Sequence, residues 1–163
     1  ALARSSAAGR SGAVLGVDVG ALGTRIYSWR DGECLGPTGS TPAGGGAMVS
    51  AVVEALRRRD LAIGEESAKR LVAGMRDAGA PPVPQRGRVL STGLPGSLPV
   101  DGDDLNRALE PIFAEIVQAL REAASRMSAG GIPSVLLAGG AAGPRGPRGR
   151  GALDLSARRR PRL

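Results

Sequence analysis

The chain has 163 residues and a formal net charge of +7, a length that suits one domain or two small lobes. Residues 144–163 contain seven Arg and one Asp, so the basic excess lies in a tail and not on a folded surface. With no His and Cys34 as the single cysteine, the composition excludes a disulfide framework and argues against a zinc site. Cytoplasmic localisation is the resulting expectation, and the longest apolar runs are far too short to span a membrane.

The first third of the chain has the pattern of a β-hairpin. Residues 1–12 are small and polar and are predicted to be a disordered leader. Residues 13–19 form a nearly continuous apolar run typical of a buried strand, and residues 24–29 alternate as a second strand does. Asp31-Gly32 then predicts a tight turn, after which residues 33–35 can pair back. Residues 36–46 show no periodicity and are predicted to be a loop.

The rest of the chain alternates helices with short strands. Apolar spacing predicts helices over residues 48–59, 65–75 and 103–127. The last helix has the longest apolar stripe, which includes Phe113 and Val117, and Pro111 predicts a break or kink inside it. Short strands are predicted over residues 87–90, 97–100 and 134–137.

Two Gly-rich turns follow predicted strands, and both suit a phosphate or nucleoside. After the first strand come Asp18, Gly20, Gly23 and Thr24, where backbone N–H groups can approach a phosphate, Asp18 can hold metal-bound water and Thr24 can donate to a phosphate oxygen. The second turn contains Gly139 and Gly140, where a base or ribose can lie against bare backbone. An ordinary hairpin and a strand-to-tail junction explain the same residues, since short Gly motifs recur by chance.

In this order, these motifs resemble the bacterial actin homologue MreB and its paralogue Mbl. The resemblance is carried by six stretches: residues 14–27, Gly44-Gly-Gly-Ala-Met-Val-Ser, Ile63-Gly-Glu-Glu-Ser-Ala-Lys-Arg-Leu, residues 87–96 ending in Thr-Gly-Leu-Pro-Gly, residues 109–119 with Glu110-Pro111 and Ile116-Val117, and Leu137-Ala-Gly-Gly-Ala-Ala. It implies an α/β chain with a partial actin-like (ribonuclease H-like) nucleotide-binding core and much of the first domain missing.

The resemblance also divides the chain. It implies a phosphate-loop hairpin remnant of domain I over residues 13–35, a linker over residues 36–47 and a domain II-like region over residues 48–143. Residues 144–163 are then predicted to be a disordered Arg-rich tail.

The family's ligand, by the same resemblance, is ATP with Mg²⁺. The residues expected to contact phosphate are Asp18, Gly20, Gly23 and Thr24, with Asp18 also at the metal, and those expected to contact adenosine are Glu65, Gly139 and Gly140. No catalytic residue is assigned, because no stretch of this sequence matches the family's second phosphate loop or its catalytic Glu. ATPase activity is therefore left open.

Four functions compete at this point. The first is an MreB-like protein of the cell-shape machinery with impaired nucleotide binding and hydrolysis, acting through homo-oligomers or filament partners. The second is a functional filament-forming actin-like ATPase. The third is a nucleic-acid-binding module that uses the Arg-rich tail, against which the absence of interleaved aromatic residues counts. The fourth is a degenerate gene product.

Overall fold

The computed structural model describes residues 12–74, 81–127, 134–139 and 152–153. Their elements, in chain order, are β1 (Ala13–Val19), β2 (Thr24–Arg30), β3 (Glu33–Thr41), α1 (Gly45–Arg58), β4 (Leu61–Ala62), α2 (Glu65–Ala73), β5 (Val83–Val89), β6 (Pro95–Val100), α3 (Gly102–Arg126), β7 (Ser134–Ala138) and β8 (Ala152–Leu153).

The main sheet has five strands in the order β3-β2-β1-β7-β8. Strand β1 pairs antiparallel with β2 and parallel with β7, so that Asp18 lies beside Arg25 on one side and Ala138 on the other. The parallel pair brings the carboxyl ends of β1 and β7 to the same edge of the sheet. A smaller sheet has the order β4-β5-β6.

Strand β1 has buried apolar side chains on both faces, and only Asp18 near its end is exposed. Leu15, Val17 and Val19 belong to the core shared with the helices, whereas Val14 packs with Trp29 and Leu136 on the other face. The confirmed prediction of a buried strand over residues 13–19 therefore follows from two different layers of packing.

Helices α1 and α3 cover the first of these faces. Helix α1, predicted over residues 48–59, buries Met48, Val49, Val52 and Leu56 at helical spacing on one face. Helix α3 begins with a capping box, in which the Asp101 carboxylate accepts from the Asp104 N–H and the Asp104 carboxylate accepts from the Asp101 N–H. Residues from β1, α1, α3 and β7 form one core cluster.

The loop predicted for residues 36–46 is wrong over most of its length. Strand β3 continues to Thr41, and α1 begins at Gly45. Two register shifts in the β2–β3 pairing, between Ile26 and Tyr27 and between Ser28 and Trp29, explain the error. Such irregularities break the alternation of period two by which a strand is recognised in a sequence.

Three further differences concern the ends of elements and their faces. Helix α3 runs through Pro111 without a break, and Phe113 and Val117, predicted to face inward, are 39% and 42% exposed. Ala152–Leu153, placed in the tail by the sequence, pair with β7.

The leader before residue 12 and the other residues of the Arg-rich tail lie outside the described residues. The division into domain I and domain II segments stays a prediction, and the described parts of both share the core above.

None of the helices in the described part of the chain is both long and apolar enough to cross a membrane.

Two leucine-to-alanine substitutions are expected to change the free energy of unfolding by very different amounts. Leu109 is fully buried in α3, whereas Leu94 is 64% exposed in the β5–β6 turn. We expect Leu109→Ala to lower the free energy of unfolding by about 2–5 kcal/mol, since it leaves a cavity under α3. Leu94→Ala should change it by less than about 0.5 kcal/mol. Urea unfolding followed by circular dichroism measures both, and equal losses would contradict the helix placement.

Candidate functional site

The turn between β1 and β2 lies at the edge of the main sheet. The Gly20 N–H donates to the Gly23 carbonyl across 2.9 Å and closes the turn. Gly23 has a φ of +156°, a conformation that side chains rarely adopt. Gly23 thus has a structural reason to be glycine, since a Cβ there would also lie 2.5 Å from the Thr41 oxygen. The Gly20 N–H, expected to contact phosphate, already has an acceptor.

The start of α1 packs directly on this turn. The Gly45 and Gly46 N–H groups donate to the carbonyls of Gly20 and Ala21 at 2.9 and 2.8 Å. A Cβ on Gly44 would lie 2.6 Å from both the Gly20 oxygen and the Gly23 nitrogen. The contact is backbone against backbone, so residue 44 must be glycine and the turn is held in place by the helix.

Three N–H groups of the turn make no recorded hydrogen bond. Within the described residues, the N–H groups of Ala21, Leu22 and Gly23 have no hydrogen-bond acceptor. The turn lines a cavity of about 420 Å³, together with Asp18, Thr24, Arg25, Ser40 and Thr41. Successive unpaired N–H groups in a tight turn form a concave site for an anion, and this is the strongest chemical feature of the cavity.

The two Gly-rich turns come together at this edge. Gly139 follows β7 with a φ of +112°, and a Cβ there would lie 2.4 Å from the Val19 oxygen and 2.7 Å from Asp18 Oδ1. The exposed Asp18 carboxylate therefore lies between the first turn and Gly139. Gly140, also expected to contact adenosine, lies outside the described residues.

Thr24 has a different environment from the expected one. Its side chain is buried, and its hydroxyl donates to the Ala43 carbonyl at 2.6 Å. A hydroxyl has one proton to donate, so in this structure Thr24 ties β2 to the segment before α1. Its contact with a phosphate stays a prediction, and the Ala43 carbonyl is a competing acceptor.

Glu65 does not line the cavity. It lies in the exposed first turn of α2, where its carboxylate is 3.0 Å from Lys69 Nζ, and Glu66 lies 2.9 Å from the same nitrogen. The pKa of Glu66 is lowered, chiefly by the hydrogen bond from Lys69, and the pKa of Lys69 is raised by the same bond. The contact of Glu65 with adenosine stays a prediction, and Lys69 competes for the Glu65 carboxylate.

Arg25, Ser40 and Thr41 also line the cavity, although no motif in the sequence identifies them. Thr41 bonds to Glu115 of α3 through its hydroxyl, which also accepts from the Ala43 N–H at 3.1 Å. Ser40 and Thr41 were assigned to a loop, and Arg25 was counted only as a residue of an alternating strand. Only the strand register, which pairs Arg25 with Asp18, would identify Arg25 as a residue of this cavity.

A metal at this site would depend on Asp18. No group of three or more His, Cys, Asp or Glu side chains is placed to hold a metal ion in the part of the chain that the structure describes. Mg²⁺ keeps several waters and is often bound by one or two carboxylates together with phosphates. Asp18 lies beside a turn whose Ala21, Leu22 and Gly23 N–H groups have no acceptor among the described residues, and this combination fits that requirement. The residues present therefore suit a magnesium nucleotide.

Comparisons with known proteins identify the fold. No protein-family model matches the chain, and no curated protein sequence matches it. Among solved structures, MreB5 of Spiroplasma citri bound to AMPPNP superposes with a TM-score of 0.67 at 19% identity, over 85% of this chain and 46% of that one. A non-polymerising MamK mutant bound to AMPPNP gives 0.63 at 18% identity, over 82% and 43%.

An archaeal actin homologue, Ta0583, gives a TM-score of 0.57 at 18% identity, over 86% of this chain and 40% of that one. The chain therefore has an actin-like fold of the MreB type, and it spans less than half the length of these structures. The predicted fold class, a partial actin-like α/β core, is confirmed.

Two helix N-cap glycines provide a matched test of the turn. Gly44 precedes α1 and touches the turn, whereas Gly64 precedes α2 and a Cβ there meets nothing within 4 Å. We expect Gly44→Ala to cost about 1–3 kcal/mol of stability because the turn or the helix must shift. Gly64→Ala should cost less than about 1 kcal/mol, the ordinary effect at a cap. Thermal unfolding compares the two, and similar midpoints would argue against the backbone contact.

Proposed function

We propose that this chain is the nucleotide-binding part of an MreB-type actin-fold protein, with a magnesium nucleotide held by the turn at residues 20–23. The observation that carries the proposal is the set of unpaired N–H groups of that turn beside the Asp18 carboxylate. The bound AMPPNP of the MreB5 and MamK structures supports it. The chain's own residues would donate to phosphate oxygens at the turn and hold metal-bound water at Asp18.

The same cavity argues for weak hydrolysis. Asp18 is the only carboxylate among the described residues that line it. A water that attacks a phosphorus needs a group to orient it or accept its proton, in addition to the metal site. We therefore propose that this chain binds nucleotide more readily than it turns nucleotide over.

The biological role we propose is in bacterial cell shape, in the cytoplasm, through contact with filaments. It rests on the MreB-type fold and on the residues that resemble that family. In this role the bound nucleotide stabilises the β1–β7 edge and α1, since a ligand that binds only the folded state adds to its stability.

The second candidate is a filament-forming ATPase, and one feature of α3 favours it. Phe113 and Val117 lie one turn apart on α3 and are partly exposed. The MamK double helical filament superposes on this chain with a TM-score of 0.58, at 14% identity over 78% of this chain and 41% of that one. A second copy of the chain would be the partner of this apolar ridge.

Nucleotide binding is tested at Asp18. Equilibrium titration with a fluorescent ATP analogue and Mg²⁺ should saturate in the micromolar range, and Asp18→Ala should weaken the magnesium-dependent part about tenfold or more. Asp103→Ala is the matched control, because Asp103 is an exposed carboxylate in the first turn of α3. Absence of saturable binding would remove the proposal, and an equal loss in the control would assign the effect to charge alone.

Self-association is tested at the ridge. We expect Val117→Asp to abolish nucleotide-dependent sedimentation while the circular dichroism spectrum stays unchanged, because a charge in an apolar contact must be desolvated. Gln118→Asp places the same charge on another exposed face of α3 and should sediment as the original protein does. Only monomer in all samples with nucleotide would exclude this candidate.

A further inference from the structure

We propose that Arg25 is the residue by which this site distinguishes a nucleoside triphosphate from a diphosphate. The inference rests on the proposed function and concerns one residue that neither the fold nor the motifs assign. Arg25 is the second residue of β2, directly after the turn; it is exposed, and it lines the same cavity.

The order of residues along the sheet edge gives the direction of the ligand. From β7 to β3 the edge presents Gly139, then Asp18 with the turn, then Arg25, and finally Ser40 and Thr41. A nucleoside against Gly139 would lead its phosphates across the turn. The last phosphate of the chain would then be the one nearest to Arg25 and Ser40, which are paired in register.

Arg25 is free to make this contact. Within the described residues its guanidinium has no hydrogen bond and no ion pair, although Asp18 lies opposite it in the strand pair. It also lines a second cavity of about 500 Å³ between β3 and α3, which it shares with Ser40, Glu122 and Arg126. The neighbouring Arg126 is committed, since it donates to the Thr38 carbonyl at 2.6 Å. Among the described residues, the Arg25 guanidinium is therefore a cation at this edge without a recorded partner.

The chemistry matches a terminal phosphate. A guanidinium presents two parallel N–H groups to two phosphate oxygens and keeps its charge at every physiological pH. A diphosphate ends one phosphate earlier and leaves Arg25 in water. Because only the triphosphate gains the contact, Arg25 contributes to the ratio of the two affinities and little to the affinity for the diphosphate.

Isothermal titration of the full chain with AMPPNP and with ADP, both with Mg²⁺, tests the inference. We expect the original protein to bind AMPPNP about tenfold more tightly than ADP, and Arg25→Ala to reduce that ratio to about one while the ADP affinity changes less than about twofold. Arg25→Lys should keep part of the preference, since a point charge remains without the fork.

Arg30→Ala is the matched control, an exposed arginine at the other end of β2. If Arg30→Ala lowers the ratio equally, long-range charge explains it and the inference is overturned. If Arg25→Ala weakens both nucleotides alike, the inference fails while the proposed function stands. If the original protein binds neither nucleotide, both fail. An unchanged melting temperature for Arg25→Ala shows that a lost preference is not a loss of fold.

Discussion

The contact on which the rest of the structure depends is that between the turn at residues 20–23 and the first residues of α1. It consists of two backbone hydrogen bonds and of a glycine, Gly44, that leaves no room for a side chain. Because the first N–H groups of a helix have no partner inside it, the carbonyls of the turn satisfy two of them. The same two bonds turn those carbonyls toward the helix. Ala21 to Gly23 are left with N–H groups that no described residue accepts from.

The parallel pairing of β1 with β7 adds the second half of the site. Residues separated by more than a hundred positions meet because Asp18 is in register with Ala138, and Gly139 follows at the end of β7. Its missing side chain lets that end approach β1, with Asp18 Oδ1 within 2.7 Å of where a Cβ would stand. The site is therefore a product of topology. Neither turn alone differs from the turn of an ordinary hairpin, and the proposed function needs both at one edge of the sheet.

The sequence predicted best the elements whose pattern is set by burial alone. Strand β1 and the stripe of α3 through Leu105, Leu109 and Ile116 were found because each faces a continuous apolar layer. Strand β3 was missed because its register shifts against β2 disturb the alternation of its small residues. The turn between β1 and β2 has the position that the sequence predicted, and its contact with phosphate stays a prediction. The Ala43 acceptor of Thr24 and the pairing of Arg25 with Asp18 depend on strand register, which spacing does not encode.

The structure also changes the interpretation of the segment that follows the hairpin. If residues 36–46 were a loop that replaced a deleted region, β2 would be an open edge and α1 would begin without a fixed position. Instead, β3 covers that edge, Thr41 bonds to Glu115 of α3, and Gly44 is fitted to the turn. Every buried side-chain nitrogen and oxygen among the described residues has a hydrogen-bond partner. The described residues form one core that is built around the turn, so the turn has a fixed geometry, which the proposed nucleotide site requires.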